Sequence, residues 1–223
     1  MFLKDLSNYS EINEVYISKL SKLNPPVRVC TEIPINFHII LDALAYKKID
    51  EENSSCSDSS NKKTHKKHTM HVQSISHWAP ANIGPYSQAI RVNKCKNSIM
   101  EAKIKKKFFQ VGDIISVAGQ IPLVPGNMNI LDSSIKRQCR LTLRHINRIV
   151  KAMDSNTELR HIVQGICFLT HQDYIPAARK EWEKRTNNAI VDYVIVTNLP
   201  RNAQVEWCVW AHRDNNRFEC KLI

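Results

Sequence analysis

The run ANIGPYSQAI, about a third of the way along the chain, places polar side chains directly behind two residues that restrict the backbone. Gly84 and Pro85 favour a turn, and Tyr86, Ser87 and Gln88 follow with a phenol, a hydroxyl and an amide that can form hydrogen bonds. Such a turn could present polar groups to a small ligand. The same composition is also typical of a surface turn, so the run alone leaves both interpretations open.

The spacing of the cysteines, histidines and glycines is not typical of a metal site or of a phosphate-binding loop. The seven cysteines form no CxxC pair and several lie in apolar patterns, which indicates reduced core thiols rather than a disulfide framework. His65, His68, His71 and His77 follow no ligand pattern and lack carboxylate support, so we expect no metal site. The five glycines do not cluster into a phosphate-binding loop, and we expect this chain to bind no cofactor.

The formal net charge of +11 suggests an acidic partner. Seven Lys or Arg residues lie between Arg91 and Lys107, but aromatic side chains appear only after them, at Phe108 and Phe109. The basic segment therefore offers few aromatic rings on which bases could stack, and we expect no nucleic-acid partner. No apolar run approaches the roughly 20 residues of a spanning helix, and the first residues do not resemble a signal peptide, so we expect no membrane contact and a cytoplasmic location.

Hydrophobic periodicity predicts the elements that must position these side chains. Residues 111–120 read as a strand, and apolar residues over 135–153 recur at steps of three and four, which predicts an amphipathic helix. An apolar strand over 161–170 is followed by Asp173 as a possible N-cap for a helix through Lys184, and then by two alternating strands. This order predicts an α+β fold, with a mixed sheet and two helices on one face.

The last strand carries apolar residues on both faces, with Trp207 and Trp210 among them, so a second copy or domain should cover the helix-free face. The first residues of the chain repeat the order helix, turn, strand of the domain's second half. We therefore divide the chain into the C-terminal half of a first repeat (1–46), a disordered polar linker (47–75), a complete domain (76–214) and a tail (215–223).

Three separated motifs, IGPYSQAI, ISVAGQIPLVPG and LPRNAQVEWCVWA, resemble in this order the Rid family, also called YjgF or endoribonuclease L-PSP. The resemblance covers residues 79–212 and implies the Rid-like, chorismate-mutase-like fold. Residues 9–46 resemble the tail of another Rid repeat, because they carry the PPxRVxxE motif from Pro25 onward. Within the family, the tandem arrangement is most similar to the C-terminal region of long eukaryotic diphthine–ammonia ligases.

The resemblance implies one of two functions. The ligases amidate diphthine on elongation factor 2 with ATP and ammonia, in an N-terminal domain with an SGGKDS-type loop, and no such loop occurs in this sequence. The chain would then act as a binding or assembly module, with elongation factor 2 as the implied partner. The alternative is a free-standing Rid deaminase, which hydrolyses enamines and imines of amino acids, or a ribonuclease-like protein.

The resemblance also implies a pocket for a small 2-oxo or imino acid, formed by self-association or by packing of the repeats within the chain. Rid enzymes hold the substrate carboxylate with an arginine on the penultimate strand, and alignment puts Val191 there. Arg28 takes the matching position in the half repeat. From the residues alone, Glu206 could equally be an interface carboxylate, and Arg28 a structural arginine. The candidate pocket residues are Tyr86, Ser87, Gln88, Gly119, Gln120, Glu206 and Arg28.

Overall fold

The computed structural model describes residues 1–20, 23–45, 67–92 and 114–212, and these form two β-sheets. In the larger sheet, neighbouring strands are antiparallel except for the last two, which are parallel. Its six strands are, in spatial order, β4 (Lys67–Met70), β5 (Ala89–Val92), β6 (Ile114–Gln120), β9 (Val205–His212), β7 (Ile162–Leu169) and β8 (Ile190–Ile195). The smaller sheet has the order β2 (Thr31–Glu32), β1 (Phe2–Leu3) and β3 (Ile39–Ile40).

Helices α2 (Ile135–Met153) and α3 (Ile175–Thr186) both pack on one face of the larger sheet. The predicted apolar stripe of α2 faces the sheet, where side chains such as Leu143 are fully buried. They share one core with Trp182 of α3 and Trp207 of β9, whose rings stack with centroids 4.7 Å apart. The predicted α+β fold with two helices on one face is confirmed.

Residues 1–45 form a smaller unit whose elements follow the same order as the C-terminal half of the large domain. Helix α1 (Tyr9–Lys19) connects the parallel strands β1 and β2, as α3 connects the parallel strands β7 and β8. Strand β3 then pairs antiparallel with β1, as β9 pairs antiparallel with β7. The shared order supports the interpretation of residues 1–46 as half of a repeat, which stays a prediction.

The strand registers place Arg28 and Val191 at equivalent positions of the two units. In the smaller unit Thr31 pairs with Phe2, and Arg28 lies three residues before Thr31. In the large domain Val194 pairs with the phenylalanine of the corresponding Phe-Leu pair in β7, and Val191 lies three residues before Val194. Backbone pairing therefore matches Arg28 with Val191, as the alignment of the sequence motifs does.

The smaller unit covers the helix-free face of the large sheet, as the two apolar faces of β9 predict. Backbone hydrogen bonds join the units, from the Glu32 N–H to the Asn198 carbonyl oxygen (3.0 Å) and from the Thr197 N–H to the Glu32 carbonyl oxygen (2.9 Å). Apolar side chains of both units form a second core, which includes Phe2, Val29, Ile33, Phe168, Val196, Leu199 and Cys208.

Strand β4 corrects the predicted extent of the linker. It lies inside the segment 47–75, yet its residues pair antiparallel with β5 at the edge of the large sheet. The prediction was wrong here because an edge strand is held by backbone hydrogen bonds on one side and needs little apolar sequence. Residues 47–66 of the predicted linker and the tail 215–223 lie outside the described residues.

The start of α3 also differs from the prediction. Asp173 does not cap this helix, because it lies in a short 3₁₀ helix, Gln172–Tyr174, that leads into α3. Its N–H instead donates to the Nδ1 of His171 (3.3 Å). Within the described ranges, no helix combines the length and the apolar character that crossing a membrane requires.

Candidate functional site

Hydrogen bonds from the large domain hold the Pro-Pro-Val-Arg run, residues 25–28, beside the end of β6. The Ser87 N–H donates to the Pro26 carbonyl oxygen (3.1 Å), and the Ser87 hydroxyl donates to the Pro25 carbonyl oxygen (2.6 Å). The Gly119 N–H donates to the Arg28 carbonyl oxygen (3.2 Å). The polar turn that stands out in the sequence therefore anchors the segment that carries Arg28.

A small cavity, partly open to solvent, lies where the two units meet. The enclosed part measures about 10 Å³, room for about one water molecule, so a larger ligand would have to move side chains of the wall apart. The smaller unit contributes Tyr9, Arg28 and Cys30 to the cavity. The large domain contributes Ile83, Tyr86, Gly119, Ile121, Pro200 and Glu206.

Arg28 brings a fixed positive charge to the cavity and is only 8% exposed. Its Nη2 donates to the Tyr9 hydroxyl oxygen (3.0 Å) and to the Asn13 Oδ1 (2.8 Å). Its Nη1 is buried without a hydrogen-bond partner in the part of the chain that the structure describes. Its Cζ lies 5.5, 4.7 and 5.8 Å from the ring centroids of Tyr9, Tyr16 and Tyr86, within cation–π range. An anion in the cavity would satisfy the free nitrogen.

The Glu206 carboxyl group is buried against the backbone of Gly119. A Cβ atom at residue 119 would lie 1.8 Å from the Glu206 Oε1, so only glycine leaves room for the carboxyl group. The Oε2 is buried and unpaired among the described residues. Burial raises the pKa of Glu206 to about 8, although the amino-terminal ammonium and Arg28 lower it. Glu206 is therefore mostly protonated at neutral pH and can donate a hydrogen bond.

The phenols of Tyr9 and Tyr86 and the thiol of Cys30, which also line the cavity, are neutral at ordinary pH, and burial raises the pKa of Tyr9 as well as those of the other two. Burial raises the pKa of the Tyr86 phenol above its usual range. Burial also raises the pKa of the Cys30 thiol to about 11, although Arg28 lowers it, so Cys30 is not a thiolate nucleophile. In the ranges that the structure describes, no group of three or more His, Cys, Asp or Glu side chains could hold a metal ion.

These groups suit a ligand with an anionic end and a polar, uncharged end. The Arg28 guanidinium can bind the anion, and the protonated Glu206 can donate a hydrogen bond to a carbonyl oxygen or an imine nitrogen. The structure thus brings Arg28, Tyr86, Gly119 and Glu206 of the predicted pocket residues to one cavity.

Ser87, Gln88 and Gln120 are predicted as pocket residues but do not line the cavity. The reason is the same for all three, because their buried side chains bond to backbone groups. Besides the Ser87 bond to Pro25, the Gln88 side chain accepts from the Val72 N–H (2.7 Å), and the Gln120 Nε2 donates to two carbonyl oxygens of β6 (3.2 Å each). These residues hold the walls of the cavity in place.

Val191 lies outside the cavity and packs against the helix-side core. The missing arginine at this position therefore does not remove the positive charge from the cavity, because Arg28 supplies it. Sequence reasoning missed Tyr9 and Cys30. Cys30 lies two residues after Arg28 in an extended segment, so strand alternation could have indicated it. Tyr9 approaches through α1, and no motif marks it.

Comparison with known proteins agrees with this architecture. A family model described as "Endoribonuclease L-PSP" matches residues 103–213. A RutC family protein of Sulfurisphaera tokodaii is 31% identical over 134 residues, which cover 59% of this chain and 90% of that protein. The crystal structure of YEO7 from yeast has a TM-score of 0.51 at 21% identity and covers 66% of this chain and 98% of its own, which shows a shared fold.

The diphthine–ammonia ligase of Schizosaccharomyces pombe is 30% identical over 210 residues. That alignment covers 93% of this chain but only 29% of the ligase, so the chain spans less than a third of this relative's length. The motifs, the fold and these matches together show that the chain belongs to the Rid family, also called the YjgF or endoribonuclease L-PSP family, and is similar to a region of the diphthine–ammonia ligases.

Proposed function

We propose that the chain is the Rid-like region of a diphthine–ammonia ligase and serves as a binding module for a small 2-oxo or 2-imino acid. One observation carries this proposal. Two buried polar atoms, Arg28 Nη1 and Glu206 Oε2, belong to the wall of the same cavity, and both are without a hydrogen-bond partner among the described residues. Buried polar atoms are usually paired, so each favours a ligand group that complements it.

A 2-oxo acid provides both complementary groups. Its carboxylate would accept a charge-assisted hydrogen bond from Arg28, and its oxo group would accept from the protonated Glu206. The Tyr86 ring would cover the ligand on a third side. An imino acid fits in the same orientation, because an imine nitrogen also accepts a hydrogen bond.

The ligase reaction itself is assigned to other parts of such a protein. The sequence contains no glycine cluster that could hold a phosphate chain, so ATP-dependent amidation needs a nucleotide site supplied elsewhere. The chain would then bind or assemble beside that site, with elongation factor 2 as the partner that the ligase relationship implies. Self-association of the chain remains an expectation from the Rid resemblance.

A second candidate, imine or enamine hydrolysis, is favoured by the proton that Glu206 retains at neutral pH. A protonated carboxyl group beside an imine could act as a general acid. We expect weak or absent turnover of 2-aminoacrylate, because Arg28 Nη2 is already bonded to Tyr9 and Asn13 and cannot join a two-point carboxylate clamp. Pyruvate release at rates typical of enzymatic Rid proteins would replace the binding-module proposal with the deaminase.

Calorimetric titration with pyruvate tests the binding proposal. We expect binding to the wild-type chain and at least about tenfold weaker binding to Arg28→Met, which corresponds to about 1.4 kcal/mol. Arg137→Met is the matched control, since it removes an exposed guanidinium from α2 on the other side of the sheet. Equal affinity in Arg28→Met and Arg137→Met would show that the cavity is not the site.

A further inference from the structure

Helix α1 directs one face at the Arg28 guanidinium. Tyr9, Asn13 and Tyr16 follow the spacing i, i+4, i+7 and all contact Arg28, the first two by hydrogen bonds and the two tyrosines through their rings. None of the eleven residues of α1 is buried. The interactions with Arg28 are therefore a main attachment of this helix, which does not pack into a core through buried side chains.

We propose that α1 sets the ligand selectivity of the pocket, because Tyr9 and Asn13 occupy one terminal nitrogen of Arg28 and leave only the other to the ligand. This inference rests on the proposed function above and refines it. The wild-type pocket should therefore favour a carboxylate over a neutral carbonyl group at the Arg28 end less strongly than a two-point clamp would, so its ligands include amides as well as acids.

The chemistry of the guanidinium supplies the reason. Both edges at which it can meet a carboxylate through two nitrogens, Nη1–Nη2 and Nε–Nη2, include Nη2. The two hydrogens of Nη2 are directed to the Tyr9 hydroxyl oxygen (3.0 Å) and the Asn13 Oδ1 (2.8 Å). A ligand can therefore bond to only one nitrogen of Arg28 at a time, and Nη1 is the nitrogen that is buried and unpaired among the described residues. A single nitrogen gives a carboxylate less advantage over an amide than a two-point clamp would give.

The arrangement is specific to the smaller unit. Tyr9 and Asn13 lie seven and eleven residues after Phe2, and the residues at the same distances from Phe168 are Ile175 and Arg179. An isoleucine has no acceptor, and an arginine has only donors, so neither side chain could hold a guanidinium in this way. Helix α1, in the unit that carries Arg28, therefore has two hydrogen-bond acceptors that α3 lacks at the equivalent positions.

The test compares the affinities of pyruvate and its neutral amide, pyruvamide, by calorimetry. In the double variant Tyr9→Phe, Asn13→Leu both acceptors are lost while side-chain shape is kept, and we expect the preference for pyruvate over pyruvamide to rise about tenfold over wild type as Nη2 becomes free. Tyr9→Phe alone, the milder variant, should give a smaller rise in the same direction. Tyr16→Phe is the matched control, since it removes the same atom from the same helix while its ring keeps its contact with Arg28.

A purely structural role for Tyr9 and Asn13 would lower the stability and weaken both ligands equally, so the ratio of the two affinities would not change. An unchanged ratio in both α1 variants, while Arg28→Met still weakens pyruvate binding at least about tenfold, would overturn this inference and leave the proposed function standing. A rise of the ratio in Tyr16→Phe equal to that in Tyr9→Phe would also overturn it. If neither compound bound to the wild type or to any variant, the proposed function and the inference would both fall.

Discussion

The Glu206 carboxyl group lies so close to the backbone of Gly119 that no side chain fits at residue 119. A Cβ at residue 119 would lie 1.8 Å from Glu206 Oε1 and 2.7 Å from its Cδ. Gly119→Ala should therefore destabilise the protein by about 1 to 3 kcal/mol, as overpacking does, and displace the carboxyl group from the cavity. Urea denaturation measures the loss.

The double variant Gly119→Ala, Glu206→Ala provides the control for this prediction, because truncating the glutamate restores the space. We expect the double variant to be more stable than Gly119→Ala alone. Simple additivity of the two single effects would show that the contact between these residues does not cause the destabilisation.

Glu206 should also give ligand binding a dependence on pH. Its folded-state pKa of about 8 lies above the usual value, so the group is protonated below that pH and negatively charged above it. The protonated form can donate to an oxo group, whereas the charged form repels a carboxylate. The affinity for pyruvate should therefore fall as the pH rises through about 8. Calorimetry from pH 6 to pH 9.5 should show this fall in the wild type, whereas Glu206→Gln should give a nearly flat profile.

At the scale of elements, α1 and α2 differ in what holds them. Helix α2 buries residues such as Leu143 and Ile146 completely, whereas α1 buries none and contacts Arg28 through polar and aromatic groups. Amides of α1 should therefore exchange with solvent earlier than those of α2. Hydrogen exchange of Arg28→Met should show faster exchange in α1 with α2 unchanged. Equal rates in α1 of this variant and of Arg137→Met would contradict the attachment through Arg28.

The sequence predicts some elements better than others, and the reason is again whether buried side chains or backbone contacts hold the element. Strong periodicity marks α2, because one of its faces is buried in the core. Strand β4 has no comparable signal, since backbone pairing at the sheet edge holds it. The two-residue strands β1 and β3 are too short for any period to appear. Sequence patterns therefore predict elements that bury side chains better than elements that backbone contacts hold.

At the scale of the whole molecule, the smaller unit protects an apolar sheet face. Phe168 and Cys208 lie in the core between the units and are at most 6% exposed. A chain that begins at residue 67 would expose this face to water. We expect it to bind a hydrophobic dye such as ANS and to self-associate in light scattering, unlike the full chain. A monomer with no increase in dye binding would show that the smaller unit does not protect this face.

The candidate site was predictable only where motifs mark it. Tyr86, Gly119 and Glu206 stand in motifs of the Rid family, and Arg28 stands in a matching motif of the half repeat. Their meeting in one cavity depends on how the two units dock, and the Ser87 hydrogen bonds to the proline run have no counterpart in sequence periodicity. The role of Tyr9 was hidden for the same reason, because its partner Arg28 lies 19 residues away, outside any helix or strand.

A crystal structure of the full chain with pyruvate tests the central claim most directly, namely that Arg28 of the smaller unit and Glu206 of the large domain form one binding site. The account predicts the ligand in the cavity, with a carboxylate oxygen within hydrogen-bonding distance of Arg28 Nη1 and the oxo group directed at Glu206. Pyruvate bound elsewhere, or an Arg28 side chain turned away from Tyr86 and Glu206, would contradict it.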